Sequence, residues 1–283
     1  MWRAADAVPG PVRALVRPFV ARARRARSFA TPLPEGTRPE LPPSAVELDT
    51  LIGTLWFDGE DEKLTPWIRQ HATWEADVVR LLESTLQPGA TFVDVGANVG
   101  FHSVVASRLV GPSGRVVAIE PEPESAAILR ANLWRHSAPH ALVHMVAASD
   151  HLGRVRLAAD REGRSGSALS DTGEIEAEAT RLDDLLDGVR VDVLKVDVEG
   201  AEPLVLRGAE ETIRRSLGLV AIVEFRLGRH LDGSEPAEVL AYYESLGFEL
   251  ALLRPGGEPQ SAGAAEVLQA AERAPTLNLV LRR

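Results

Sequence analysis

Short apolar runs alternate with longer stretches of mixed polarity from about residue 91 to the end of the chain. Phe92, Val93 and Val95 have the near-continuous hydrophobicity of a strand covered on both faces, and residues 116–119 repeat it. Between them, residues 101–110 read as a helix stopped by Gly111-Pro112. The alternation continues with a helix over 124–134, a strand over 142–148, an extra strand over 154–158 and a short helix over 180–186. It then predicts a buried strand at 191–196, a helical stretch at 201–215 broken near Gly208, and a buried strand at 219–225. A helix over 236–246 and strands at 249–253 and 277–281 complete the series. Strands alternating with helices imply an α/β fold, a mostly parallel sheet with helices on both faces. Ligands in such folds bind beyond the carboxyl ends of the strands.

Upstream the pattern changes. Trp56-Phe57 reads as a short strand or docked segment, and residues 65–86 as one helix with Trp67, Ile68, Trp74, Val78, Leu81 and Leu82 on one side. If that helix lids the site, Trp74 and Glu75 lie near the ligand edge; packing in the core is the plainer role for the tryptophans. Residues 1–45 look like an appendage. Val12, Leu15, Val16 and Phe19 interleave with arginines between 13 and 27, a candidate amphipathic contact with anionic lipid that Pro18 interrupts. A solvated basic arm is the bland alternative. Pro32, Pro34, Pro39, Pro42 and Pro43 then suggest a stiff linker. The expected organisation is a basic arm and linker (1–45), a helical segment (46–90) and a catalytic core (91–283).

The candidate chemistry starts in the turn Asp94-Val-Gly96-Ala-Asn98-Val-Gly100. Glycine tolerates positive φ and close approach, and the helix that follows turns its free N–H groups toward a ligand. Glu120 ends the next strand about 20 positions on, where an acid accepts hydrogen bonds from ribose hydroxyls. A dinucleotide turn wants G-x-G-x-x-G, yet Asn98 and Phe101 stand where its second and third glycines belong. The acid at Asp94 suits a ligand with a cationic amino group, which favours S-adenosylmethionine; alternatively Asp94 only bonds the turn's own amides. Further acids follow other strands: Asp197 and Glu199 after Val196, and Glu224 near the end of 219–225. Lys195 alternates to the face opposite Val196 and can pair with one of them.

Composition narrows the partners. The 283 residues carry 31 basic and 41 acidic side chains, but residues 1–30 hold seven Arg against one acid, leaving 24 basic and 40 acidic residues for the remainder. So acidic a body argues against nucleic acid as substrate. There is no cysteine, which rules out disulfides and thiolate zinc sites and fits a reducing cytosol. No apolar run approaches the length of a membrane span. The expected location is cytoplasmic, membrane-peripheral if the arm docks.

Three blocks carry a family resemblance: FVDVGANVGF (92–101), TRLDDL (180–185) and VDVLKVDVEGAEPLVLRG (191–208). With them, the chain from about Ile52 to Glu224 resembles the FkbM-type S-adenosylmethionine-dependent methyltransferases. The resemblance implies a Rossmann-like class I methyltransferase fold with a mostly parallel seven-stranded sheet. It implies that Asp94, Gly96, Asn98 and Gly100 line the methionine part of the cofactor, that Glu120 holds the ribose, and that Val146-Ala147 passes the adenine. Asp197, Glu199 and Glu224 match acidic positions near the acceptor. His102 stands where the family commonly has Tyr. The acceptor expected is a hydroxyl of a sugar, glycolipid or polyketide-type small molecule, gripped by a flap at 163–173 and by residues 255–275. Asp197, then Glu199, then His102 are the candidate bases; Asp197 with Glu224 could instead hold Mg2+. A non-catalytic cofactor-binding partner, a protein or nitrogen methyltransferase and, remotely, a nicotinamide oxidoreductase are the competing functions.

Overall fold

The computed structural model describes residues 30–33, 37–160, 163–169, 173–228, 230–274 and 276–283. The Arg-rich stretch 13–27, with its expected lipid contact, lies outside the described residues.

The main sheet is built on five parallel strands. These are β4 (Thr91–Val95), β5 (Arg115–Ile119), β6 (Ala141–His144), β11 (Val193–Val196) and β12 (Val220–Phe225), in the order β6-β5-β4-β11-β12. Beyond β12 lie β15 (Leu277–Arg282), antiparallel to both neighbours, and β13 (Glu249–Leu253). These seven strands are the expected sheet with one strand reversed. Two short antiparallel edges widen it to nine: β1 (Ala30–Pro32) on β6 and β14 (Pro259–Ser261) on β13. Part of the expected linker is thus an edge strand, a place where proline is tolerated, and Leu33 and Leu41 pack on the core.

Period-two alternation splits the core into two layers. Phe92, Val116, Ala118, Val193, Ile222 and Val280 face one way, and Val93, Val95, Val117, Ile119, Leu194, Val196, Val223 and Leu281 the other. The first layer is covered by the hairpin β2 (Ala45–Thr50) and β3 (Gly53–Asp58), by α1 (Leu64–His71) and α2 (Ala76–Thr85), and by α3 (Phe101–Val110) and α4 (Pro123–Arg135). The second lies under α5 (Leu182–Leu186), α6 (Glu202–Arg207), α7 (Glu210–Arg215), α8 (Pro236–Ser245) and α9 (Ala264–Ala271). Asn132, fully buried on α4, accepts the N–H of Trp56 and donates to the carbonyls of Trp56 and Val99, all within 2.8 Å. It staples the hairpin to the glycine turn.

Several elements differ from the periodic reading. Residues 65–86 form two helices, because Ala72 and Glu75 adopt left-handed backbone and the Ala72 carbonyl accepts the N–H of Leu51 at the hairpin tip. The strand expected at 142–148 divides: after His144 the chain leaves the main sheet and β7 (Ala147–Ala148) joins a second one with β8 (Gly153–Asp160), β9 (Gly163–Leu169) and β10 (Ile175–Thr180), ordered β7-β10-β8-β9. Of the loop or flap expected at 163–173, residues 163–169 are therefore a strand, and 170–172 lie outside the described residues; at a sheet edge, a strand needs no apolar alternation. Only the portion after Thr180 is the short helix expected there. Among the described residues no helix is long and apolar enough to cross a membrane.

Candidate active site

A cavity of about 550 Å³ opens above the carboxyl ends of β4, β5, β11 and β12, a size suited to a small-molecule ligand. Glu120 marks one end. Burial pushes its carboxyl up to about 7, although it accepts two backbone N–H groups, from Asn98 at 2.8 Å and Glu122 at 2.9 Å. The first of these bonds ties the tip of β5 to the glycine turn, and Asn98 sits in left-handed backbone to allow it.

The glycines have a structural reason that the sequence does not display. A Cβ on Gly96 (φ +77°) would overlap the backbone carbonyl of Asp197, and one on Gly100 (φ +88°) would collide with Leu129 of α4. Gly96 lines the cavity; Gly100 lies behind its wall. Asp94 also lies beneath the surface, 1% exposed, with one carboxylate oxygen accepting from Ser103 Oγ at 2.7 Å and the other unpartnered. Burial raises its pKa, against the opposing pull of Lys195. Ala147 and Ala148 line the cavity, whereas Val146 packs into the second core layer.

Strand alternation brings a polar row onto the first face: Asp94 is registered against Lys195, and Glu224 against Asn278. Lys195, 3% exposed, donates to Asp197 at 2.8 Å and stands 3.9 Å from Glu75. Burial disfavours its charge, yet Asp197, Glu75 and Asp94 together more than offset this and raise its pKa. Burial, reinforced by Lys195, holds His102 well below the ordinary imidazole range, so its ring is neutral; its Nε2 is buried, without a hydrogen bond, and 3.6 Å from Glu75.

At the other end of the cavity Asp197, Glu199 and Glu224 converge, with one oxygen of each within 4.8 Å of the others. Arg226 donates to both Glu199 and Glu224. Glu224 is nevertheless pushed up to about 7, by burial first and then by Asp197. The loop bearing Asp197 and Glu199 is held from behind: fully buried Glu202 accepts the N–H groups of Val198 at 3.1 Å and Gly200 at 3.0 Å.

The cavity thus gathers Gly96, Asn98, His102, Glu120, Ala147, Asp197, Glu199 and Glu224 of the expected site residues. Of the expected acceptor-gripping stretch 255–275, none of the described residues 255–274 borders it, and Pro275 lies outside the described residues; Thr276, one position beyond, does border it. Glu75, expected near the ligand edge if its helix lids the site, lines the cavity together with Trp74. Arg226 escaped the sequence reading, because it follows its strand with no motif around it. A basic residue two positions after a strand-end acid is the signal that could have flagged Arg226.

Residues 94–250, more than half the chain, match the Methyltransferase FkbM domain. The chain is 34% identical over 183 residues to the 31-O-demethyl-FK506 methyltransferase FkbM of Streptomyces tacrolimicus, covering 50% of this chain and 70% of that protein. It is 27% identical to Methyltransferase 1 of Beauveria bassiana, over 59% of this chain and 75% of the relative. It is 29% identical to the hexuronic acid methyltransferase AglP of Haloferax volcanii, over 57% and 66%.

Proposed function

Because the chain belongs to the FkbM methyltransferase family, we propose that it transfers a methyl group from S-adenosylmethionine to a hydroxyl of a small molecule or glycoconjugate. The observation that carries this reading is the polarity of the cavity: a ribose-type acceptor of hydrogen bonds, Glu120, at one end and proton-accepting carboxylates at the other. S-adenosylmethionine supplies a methyl already activated by its sulfonium, so the protein contributes mainly position.

Fit to that donor rests on buried polar atoms. Glu120 retains lone pairs for the ribose hydroxyls beyond the two N–H groups it already accepts. Ala147 and Ala148 give the adenine a flat apolar wall. The Gly96–Asn98 turn supplies backbone under the amino acid portion. The acceptor hydroxyl then lies over the tips of β11 and β12, where a carboxylate takes its proton as the oxygen–carbon bond forms. Asp197, first in the sequence-based order, already accepts from Lys195 at 2.8 Å. His102 is neutral but buried beside Glu75. Glu224, raised to about 7, is the carboxylate best matched to the task.

The convergence of Asp197, Glu199 and Glu224 invites a divalent cation, but Arg226 already bridges two of the three. A guanidinium already stands between two of them and an ammonium holds the third, so the residues do not fit a resident Mg2+.

The test combines calorimetric titration of S-adenosylmethionine with an acceptor panel of glycosides, uronic acids and hydroxylated polyketides read by mass spectrometry. Binding of the donor, weakened in Glu120→Ala, and a product heavier by one methylene equivalent support the reading. Absence of donor binding would overturn it.

A further inference from the structure

Glu75 carries features that the methyl-transfer reading leaves unused. Its backbone is left-handed (φ 40°, ψ 58°), a conformation side chains other than Asn, Asp and Gly seldom adopt. It occupies the N-cap position of α2, where an acid ordinarily accepts an N–H of its own helix, yet it makes no such bond. The side chain turns into the cavity instead. Asn278 of β15 donates to Oε1 at 2.8 Å and fixes its direction. Oε2 is buried without a hydrogen bond.

Its neighbours define what is missing. Lys195 is 3.9 Å from Oε2, beyond a hydrogen bond, and makes its short contact with Asp197 at 2.8 Å. His102 Nε2 is 3.6 Å away, on a side chain only 6% exposed, and is also unpartnered. Among the described residues, the carboxylates of Glu75, Asp94 and Asp197 stand around this point with the cation Lys195 and a neutral imidazole. Burial raises the pKa of both Glu75 and Asp94 against the pull of Lys195, and Asp197 adds to the rise. A compact cation with several donors, delivered by the ligand, would satisfy the open carboxylate oxygen and the imidazole nitrogen together.

We propose that Glu75, with His102 beside it, binds the ammonium group on the amino acid end of the methyl donor. Glu75 is thereby a specificity residue that distinguishes the intact donor from nucleosides lacking that end. The inference rests on the donor reading above, and its test separates the two. S-adenosylhomocysteine and 5′-methylthioadenosine share the nucleoside and thioether, and only the first has the amino acid.

Calorimetry on the full chain should show Glu75→Gln weakening S-adenosylhomocysteine at least tenfold while leaving methylthioadenosine within twofold. If that variant does not fold, the wild-type chain should bind the analogue of S-adenosylhomocysteine without its amino group at least tenfold more weakly than the parent. Unchanged S-adenosylhomocysteine binding in Glu75→Gln, with or without loss of turnover, overturns the proposal, as does equal weakening of both ligands. A wild-type chain that binds neither nucleoside fails the donor reading itself and takes this inference with it.

Discussion

The α-carbon of Gly96 lies so close to the backbone carbonyl of Asp197 that no side chain fits between them. The ligand turn after β4 and the acidic loop after β11 are therefore one packed unit. Gly96→Ala combines strain at φ +77° with a backbone clash, and should cost about 1–3 kcal/mol of stability. Donor affinity should fall at least tenfold, because the Asp197 loop must move. Urea unfolding and donor titration check both; wild-type values in either would mean that the loop yields freely.

Glu120 and Glu224 are each held near 7, chiefly by burial, against an ordinary 4.5. Between those values the folded protein retains protons that the unfolded chain has released, so the stability of the ligand-free protein falls as pH rises from 4.5 through 7. Unfolding free energies at pH 5 and pH 8 should show the decline, and Glu120→Gln should flatten it. Donor affinity should run the other way, increasing through pH 7 as Glu120 becomes an ionised acceptor. A flat affinity profile would remove Glu120 from ribose recognition.

Removing Lys195 leaves Asp94, Asp197 and Glu75 crowded together without their buried cation. Breaking a buried pair by deleting one partner costs about 3–5 kcal/mol. Lys195→Met should therefore lower the urea midpoint sharply at pH 8 and recover in part near pH 4, where the acids protonate. A pH-independent loss would point to packing alone.

Asn132 provides three buried hydrogen bonds between α4, β3 and the turn before α3. Asn132→Ala leaves the N–H and carbonyl of Trp56 and the carbonyl of Val99 without their partner, each worth about 1–3 kcal/mol when buried and unsatisfied. Hydrogen exchange should rise first at Trp56 and in the 45–58 hairpin. Uniform protection loss across the sheet would contradict a local staple.

With Arg226 bridging Glu199 and Glu224, a chelator should leave turnover unchanged. Turnover that needs added Mg2+ would mean that the guanidinium swings away to admit a metal.

The parallel sheet was readable because apolar runs such as 116–119 and 219–225 are buried on both faces and have few alternative uses. Glu120, Asp197 and Glu224 were readable for the same reason: an acid at the end of such a run has few places to go. The direction of the Glu75 side chain was hidden. It depends on a left-handed residue that ends a helical pattern and on Asn278, 203 positions away, and no local periodicity encodes either. The strand 163–169 was hidden because its pairing with β8, not its own pattern, makes it a strand.

Asp183 accepts the N–H groups of Glu211 and Thr212, at 3.0 and 2.7 Å, and the hydroxyl of Thr212 at 2.8 Å, while Arg181 clasps Asp184 through two bonds. None of these residues borders the cavity. The acids of the TRLDDL block cap α7 and brace its neighbour. They travel with the scaffold and are indifferent to what is methylated, so chains that share this block can diverge in acceptor without disturbing it.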